Sequence, residues 1–489
     1  VTSVLDETAA SGSRTVRAAN PNAVVVVLVL AGITAALMQT LVVPLLGDLP
    51  RLLDTSSATA SWVVTATLLT AAVATPVSGR LGDLYGKRRV MLGCTVVLAI
   101  GSAVCALSET AAPMIVGRGL QGVGMGLVPL GIAAMRDVVP ADRLGPSIAV
   151  MSAAMGIGGG LGLPTAAAVA EYGDWHLLFW GATVLAILVG VLILVLVPAA
   201  PVGARGRFDV VGALGLGTGL VCLLLGISQG GEWGWTSAPT LGCLVAAVVV
   251  LLIWGRFELG SDHPLVDLRV TARPVVLLTN VAGLVLGFAM FAQTLVVPQL
   301  LQLPVETGYG LGQSMVAMGL WMLPGGLVMT IVSPFGARLS RLTSPRITLA
   351  VGSAVIAAGY ALAVLLMGSP WGLAVTNGVA SAGVGLAYGA LPALIMGSVP
   401  LSETGSANSV NSLMRSVGTT FASAVMAAVL IQLTVDFGGV AVPSETGFRV
   451  ALLIGAGVAI LAALVALAIP ARASREAEER IEHEVDELE

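Results

Sequence analysis

Long apolar runs, separated by short polar or Gly/Pro-bearing breaks, follow one another along the whole chain. Fourteen such runs are present, at about 23–46, 60–79, 90–108, 113–135, 146–170, 176–198, 210–229, 237–255, 275–300, 313–336, 347–367, 371–397, 406–433 and 448–469. A helix of about 20 apolar residues covers roughly 30 Å of hydrocarbon, so each run is expected to cross a bilayer. The first run follows 22 largely polar residues that carry Arg14 and Arg17. It is too long for the apolar core of a signal peptide and too many spans come after it, so an uncleaved first helix is expected.

Composition agrees. Hydrophobic residues make up 56% of the chain and charged residues only 10%, against about 25% in soluble domains, and the mean hydropathy is +0.97. Cys94, Cys105, Cys222 and Cys243 all fall inside runs without metal-type spacing, and read as small apolar helix residues. Charge supplies the orientation. With the N-terminus inside, Arg80, Lys87, Arg88, Arg89, Arg136, Arg143, Arg205, Arg207, Arg256, Arg269, Arg273, Arg338, Arg341, Arg346 and both tails share one side, and only Arg51 and Arg449 fall at the other. Such a bias predicts cytoplasmic termini and an even number of spans in a cell membrane. The acidic end, REAEERIEHEVDELE, lowers the net charge to −4 and reads as a short solvated helix.

The chain also repeats itself. QTLVVPLLGDLP at 39–50 returns as QTLVVPQLLQLP at 293–304, identical at nine of twelve positions. Pro76, Arg80 and Leu81 are matched by Pro334, Arg338 and Leu339, Gly122-Val123-Gly124 by Gly383-Val384-Gly385, and Val139-Pro140 by Val399-Pro400. The offset drifts only from 254 to 261 residues, so a six-helix unit is read twice, with two further helices at about 210–255 between the copies. Parallel repeats of this kind place a substrate cavity between the halves of secondary transporters. The expected layout is a tail at 1–22, a bundle at 23–200, a linker with the inserted pair at 201–269, a bundle at 270–470 and an acidic tail at 471–489.

GRLGDLYGKRR (79–89) resembles the signature loop of the major facilitator superfamily between its second and third helices. GRGLQGVGMG (117–126) is similar to that family's helix 4 motif, GIGGGLGLPTAA (156–167) to the Gly/Pro helix 5 motif of its antiporter branch, and YGDWHLLFW (172–180) to the junction that follows. The count of fourteen points to the drug:proton antiporter subfamily with that number of spans. The resemblance implies an all-α fold of two pseudo-symmetric six-helix bundles plus two inserted helices. It further implies alternating access and a role for Arg118 in proton coupling. The chain departs from the pattern at Ala166-Ala167, where a glycine pair is usual, and at Met38, where drug exporters with fourteen helices commonly carry Asp.

The same residues make physical sense unaided. Gly79, Gly82 and Gly86 permit a tight turn and close approach, and Asp83 suits the partial positive charge of a helix N-terminus. Arg80 shares that loop. Lys87, Arg88 and Arg89 either anchor the turn at an anionic leaflet or only set topology. Arg118 within a span is a functional candidate by default, with snorkelling as the alternative, and Gln121 lies one turn along. Arg415 is the second internal cation, with Asn408 and Asn411 on its face as polar lining or helix-packing glue. A cavity is expected between the halves, lined by Met38, Gln39, Trp62, Gln121, Met290, Phe291, Gln293, Trp321 and Asn411, and suited to a large hydrophobic molecule. Gln39 and Gln293 also read as packing residues. With no acid in helix 1, proton carriers are sought at the outer ends of spans, at Asp48, Glu171, Asp174 and Glu306. Glu171 is the first choice, and Asp174 also suits a capping role.

The expected function is outward transport of hydrophobic or amphipathic drug-like or natural-product molecules by alternating access in exchange for protons, with export of lipids or lipid-linked precursors, not necessarily coupled to protons, as the alternative. His176, His263 and His483 are scattered, which disfavours an enzyme, and GDLYGKRR lacks the phosphate-loop spacing of an ATP-driven pump. No cofactor, metal or nucleic acid is expected. The expected partners are a small hydrophobic or amphipathic substrate, protons and membrane lipids, and the chain is expected to act as a monomer.

Overall fold

The computed structural model describes residues 20–45, 48–199, 207–262, 264–400, 403–438 and 440–470. The acidic tail, most of the N-terminal tail, Arg205 and His263 lie outside the described residues. Among these residues, fourteen helices are long and apolar enough to cross a membrane. In chain order they are α1 (Pro21–Thr40), α2 (Ser57–Tyr85), α3 (Lys87–Ala106), α4 (Ala111–Val138), α5 (Ala141–Tyr172), α6 (His176–Leu196) and α7 (Val210–Trp233). They continue as α8 (Ala238–Glu258), α9 (Pro274–Gln302), α10 (Met315–Leu342), α11 (Pro345–Leu366), α12 (Pro370–Met396), α13 (Thr404–Gln432) and α14 (Glu445–Ala468).

The polar breaks write the helix starts. Ser56, Asp209, Ser237, Ser314, Ser344, Ser369 and Ser444 each accept a hydrogen bond from an N–H of the helix that follows. Pro21, Pro274, Pro345 and Pro370 open helices at positions where an N–H would have no partner. Helices α2 and α10 run on to residues 85 and 342, past the ends of their apolar runs at 79 and 336. Their added segments, RLGDLY and ARLSRL, are amphipathic and continue the helix at the rim of the bundle.

Packing follows the repeat. Contacts of α1 with α5 and α6, of α2 with α4, and of α3 with α4 and α6 reappear as α9 with α13 and α14, α10 with α12, and α11 with α12 and α14. Each half thereby encloses its own hydrophobic core. The halves meet along two related pairs, α2 on α13 and α5 on α10. On α5 and α10 the backbones nearly touch: a Cβ on Gly160 would lie 2.9 Å from Gly326 Cα, and one on Gly319 would lie 2.8 Å from Pro164 Cα. The inserted α7 packs on α8, α2 and α13, with Ala72, Leu216, Leu220, Leu413 and Val417 in a core of their own. Only 11% of the most apolar window of α8 is buried, which leaves that helix to face lipid.

One short sheet interrupts the helical pattern. β1 (Thr434–Phe437) and β2 (Val440–Pro443) pair antiparallel, with Thr434 opposite Pro443 and Phe437 opposite Val440. β-Branched residues on either side of Gly438, whose φ is +62°, favour this turn over a longer helix. The Tyr309 hydroxyl donates to Pro443 O at 2.5 Å and ties the hairpin to the segment after α9.

Candidate functional site

Arg118 lies on α4 at 2% exposure, enclosed in the first bundle. A buried guanidinium requires acceptors, because removing it from water costs several kcal/mol. Its Nε donates to Val63 O of α2 at 3.2 Å, and its Nη1 to Met38 O of α1 at 3.0 Å and to Gln121 Oε1 at 2.7 Å. Gln121 Nε2 donates in turn to Ser102 Oγ of α3 at 2.8 Å, and Thr67 Oγ1 of α2 donates to Arg118 O at 3.0 Å. One cation thus pins four helices through neutral partners. Snorkelling is excluded by this enclosure. Arg118 remains charged throughout, since a guanidinium does not release its proton in a protein. It can set the field for a proton carrier and cannot itself be one.

Asp83 is the second fixed point. It lies near the end of α2 at 3% exposure, and its carboxylate accepts from Gly405 N at 3.1 Å and Ser406 N at 2.7 Å, in the first turn of α13. The helix N-terminus that favours the charge therefore belongs to the other half of the chain. Close approach makes the contact reachable: a Cβ on Gly79 would fall 2.7 Å from Gly405 O. Gly86, with φ +96°, turns α2 into α3 directly behind Asp83.

Around this contact lies a face rich in basic residues. Lys87 Nζ reaches both oxygens of Asp137 at 2.7 and 2.8 Å, Arg88 donates to Leu194 O of α6, and only Arg89 of the three is exposed. Lys87 and Arg88 are thus tied to the neighbouring helices α4 and α6. Arg136 Nη1 donates to Thr404 Oγ1 at 2.9 Å, and Arg273 Nη1 to Ser398 O at 3.4 Å. Arg80 Nε is buried without a hydrogen-bond partner among the described residues. Glu403, beside the start of α13, has its carboxyl pushed above the usual range by burial and then by Asp267.

The expected cavity residues separate into groups. Met38 and Gln121 are buried at 1% and 0% exposure and belong to the Arg118 cluster. Gln39 is exposed and its amide lies 3.3 Å from Met125 Sδ, at the 3-10 turn Gly124–Gly126 that interrupts α4. Trp62, Met290 and Phe291 are half-buried. Gln293 is buried, with Nε2 lacking a hydrogen-bond partner among the described residues. Trp321 donates to Gln313 Oε1 at 2.9 Å and meets Trp371 edge to face, centroids 4.8 Å apart. It stands two residues from Gly319, the contact with α5, so it points away from the junction of the halves. Asn411 is packing glue: its Nδ2 donates to Thr279 O at 3.2 Å and Asn280 Oδ1 at 3.1 Å on α9. Arg415 is half-buried, donates to Ser412 Oγ at 2.9 Å and lies 4.4 Å from the centroid of the Tyr388 ring.

The acids at the span ends away from the basic face are open. Glu171 and Glu306 are exposed. Asp48 is partly exposed and pairs with Arg51 at 3.4 Å. Asp174 Oδ1 accepts from His176 N at 3.0 Å and lies 2.5 Å from its Nδ1, which holds the Asp174 carboxyl below the usual range. Sequence reasoning missed Ser102, Thr67, Tyr388, Asp137 and Glu258. Asp137 was legible as the acid following Arg136 at a helix end, whereas the others needed the packing.

Two repeated bundles thus meet along related helix pairs, with charged groups buried within and between them. The chain belongs to the Major Facilitator Superfamily, whose sequence model matches residues 28–423. It is 30% identical over 417 residues to an uncharacterised MFS-type transporter of Mycobacterium tuberculosis, a match covering 84% of this chain and 59% of that relative's length. It is 26% identical over 381 residues to the multidrug transporter protein MdtP of Bacillus subtilis, covering 76% of this chain and 68% of the relative. In fold it is similar to the human organic anion transporter MFSD10, with a TM-score of 0.67 at 16% identity, over 91% of this chain and 99% of that one.

Proposed function

We propose that the chain exports hydrophobic or amphipathic drug-like molecules across the cell membrane by alternating access, in exchange for protons. The basic face is cytoplasmic in this reading, with both termini on that side. The observation that carries it is the closed contact of Asp83 with the N-terminus of α13, which joins the two halves at that face through groups that can part and rejoin. The bundles 23–200 and 270–470 rock about the α5–α10 contact, and the pair inserted within 201–269 rides outside the cleft. Similarity to a multidrug transporter supports the substrate class, as do the half-buried Trp62, Met290 and Phe291. Glu171, exposed while the basic face is closed, takes up the proton from the outer side. The test is export of a lipophilic cation dye from proteoliposomes under an imposed pH gradient. Wild type should respond to the gradient, and Glu171→Gln should lose the response while still binding the dye. Export indifferent to the gradient would remove proton exchange from the account.

A further inference from the structure

Two carboxylates, one at the start of α7 and one at the end of α8, each keep one oxygen without a hydrogen-bond donor among the described residues. Asp209 caps α7, its Oδ1 accepting from Gly212 N at 2.7 Å. Glu258 is the last residue of α8, 2% exposed, and its Oε1 accepts from Val266 N at 2.7 Å. The remaining oxygens, Asp209 Oδ2 and Glu258 Oε2, are both buried without a hydrogen-bond partner among the described residues. They flank one small space: a Cβ placed on Gly212 would lie 2.6 Å from the first and 2.7 Å from the second. Two ionised carboxylates cannot share such a site cheaply, since each raises the cost of the other's charge and neither of the facing oxygens has a donor among the described residues.

We propose that Asp209 and Glu258 bind one proton between them while the basic face is closed, and that this proton governs the closure. One carboxyl then donates to the other, and the pair carries one negative charge where it would otherwise carry two. A short hydrogen-bonded path links the pair to the contact between the halves. Glu258 holds Val266 N, Ser406 Oγ donates to Leu265 O at 3.3 Å, and Ser406 N donates to Asp83 Oδ2 at 2.7 Å. Loss of the proton sets the two carboxylates against each other, frees Val266 and loosens Leu265 from Ser406. Arg80 of α2 interacts electrostatically with Glu258, Asp83 and Glu403, so a newly ionised pair draws it from Asp83. Glu403, with Asp267 and Arg273 near it, lies at the start of α13, and Arg269 is turned to Leu259 O at 3.0 Å.

This inference rests on alternating access at the basic face and not on proton exchange as the driving reaction. Its test therefore uses purified protein in nanodiscs without substrate or gradient. An infrared pH titration should show a protonated-carboxyl C=O band that disappears in Glu258→Gln and in Asp209→Asn. Spin labels at Leu196→Cys on α6 and Leu342→Cys on α10, in a background without the native cysteines, report the separation of the halves. Wild type should open as the pH rises, Glu258→Gln should stay closed at every pH, and Gly212→Ala, whose methyl wedges the oxygens apart, should open at lower pH. If Glu258→Gln does not fold, Asp209→Asn carries both readouts. An infrared band unchanged in the folded variants, or an opening profile unchanged by them, overturns the proposal. So does closure that follows sodium concentration at fixed pH, which would make the pair a metal-cation site. Gradient-independent export would leave these readouts untouched.

Discussion

Asp83→Asn removes one charge with almost no change in volume, at the point where the two halves are held together. The carboxylate accepts two N–H groups at 3.1 and 2.7 Å in a setting 3% exposed, so solvent screens little of the interaction. A hydrogen bond to a charged group contributes about 1.5–3 kcal/mol, against about 0.5–1.5 kcal/mol for a neutral one. The amide of Asn can still accept one N–H, but its NH₂ turns a donor toward the other. The closed state should lose about 2–3 kcal/mol relative to the open state, where neither form has the contact, or roughly 30- to 150-fold in the closed-to-open ratio. Electron–electron distance measurements between labels on α6 and α10 at the basic face read that ratio directly. The variant should insert and fold, shift toward the longer distance and export more slowly. An unchanged distance distribution in folded Asp83→Asn would refute the reasoning and leave the loop a topological feature.

Arg118→Ala should abolish gradient-coupled export because it strips α1, α2 and α4 of their shared donor, while Arg118→Lys should retain part of it, keeping the charge without the fork that bonds Val63 O, Met38 O and Gln121 together; dye flux in proteoliposomes separates the three forms. Met38→Asp should set an acid into the Arg118–Gln121 cluster and give export a new pH dependence, measured as rate against pH; a profile identical to wild type would show that the cluster does not communicate with transport. Gly326→Val should separate α5 from α10, since a Cβ there would lie 2.5 Å from Gly156 O and 2.7 Å from Gly160 Cα; overpacking of this kind costs about 1–3 kcal/mol and should lower the thermal melting temperature and the export rate together.

Hydrophobic length alone made all fourteen spans legible, because a helix that crosses lipid must satisfy its backbone internally and cover the hydrocarbon with side chains. The same rule works residue by residue, so span boundaries in the sequence differ from those in the structure chiefly where α2 and α10 continue as polar helix at the rim. The internal repeat was legible too, because homologous positions such as Pro76 and Pro334 retain the same local duty in each half. Arg118 and Asp83 stood out because charge is costly near the apolar interior and so is rare there.

What those charges meet was decided only by the tertiary structure. Asp83 and Ser406 are 323 residues apart and Arg118 and Met38 are 80 apart, and no local pattern encodes such a pairing. For the same reason the partners of Asn411 on α9 and of Trp321 at Trp371 could not be read from the sequence. The sequence by itself determined which segments enter the membrane and which residues are too costly to be there without a purpose. Direction around each helix axis, and therefore the partner each residue finds, follows from how the helices pack, because a bilayer is nearly as apolar as the helix surfaces and close packing, not hydropathy, selects the contacting faces.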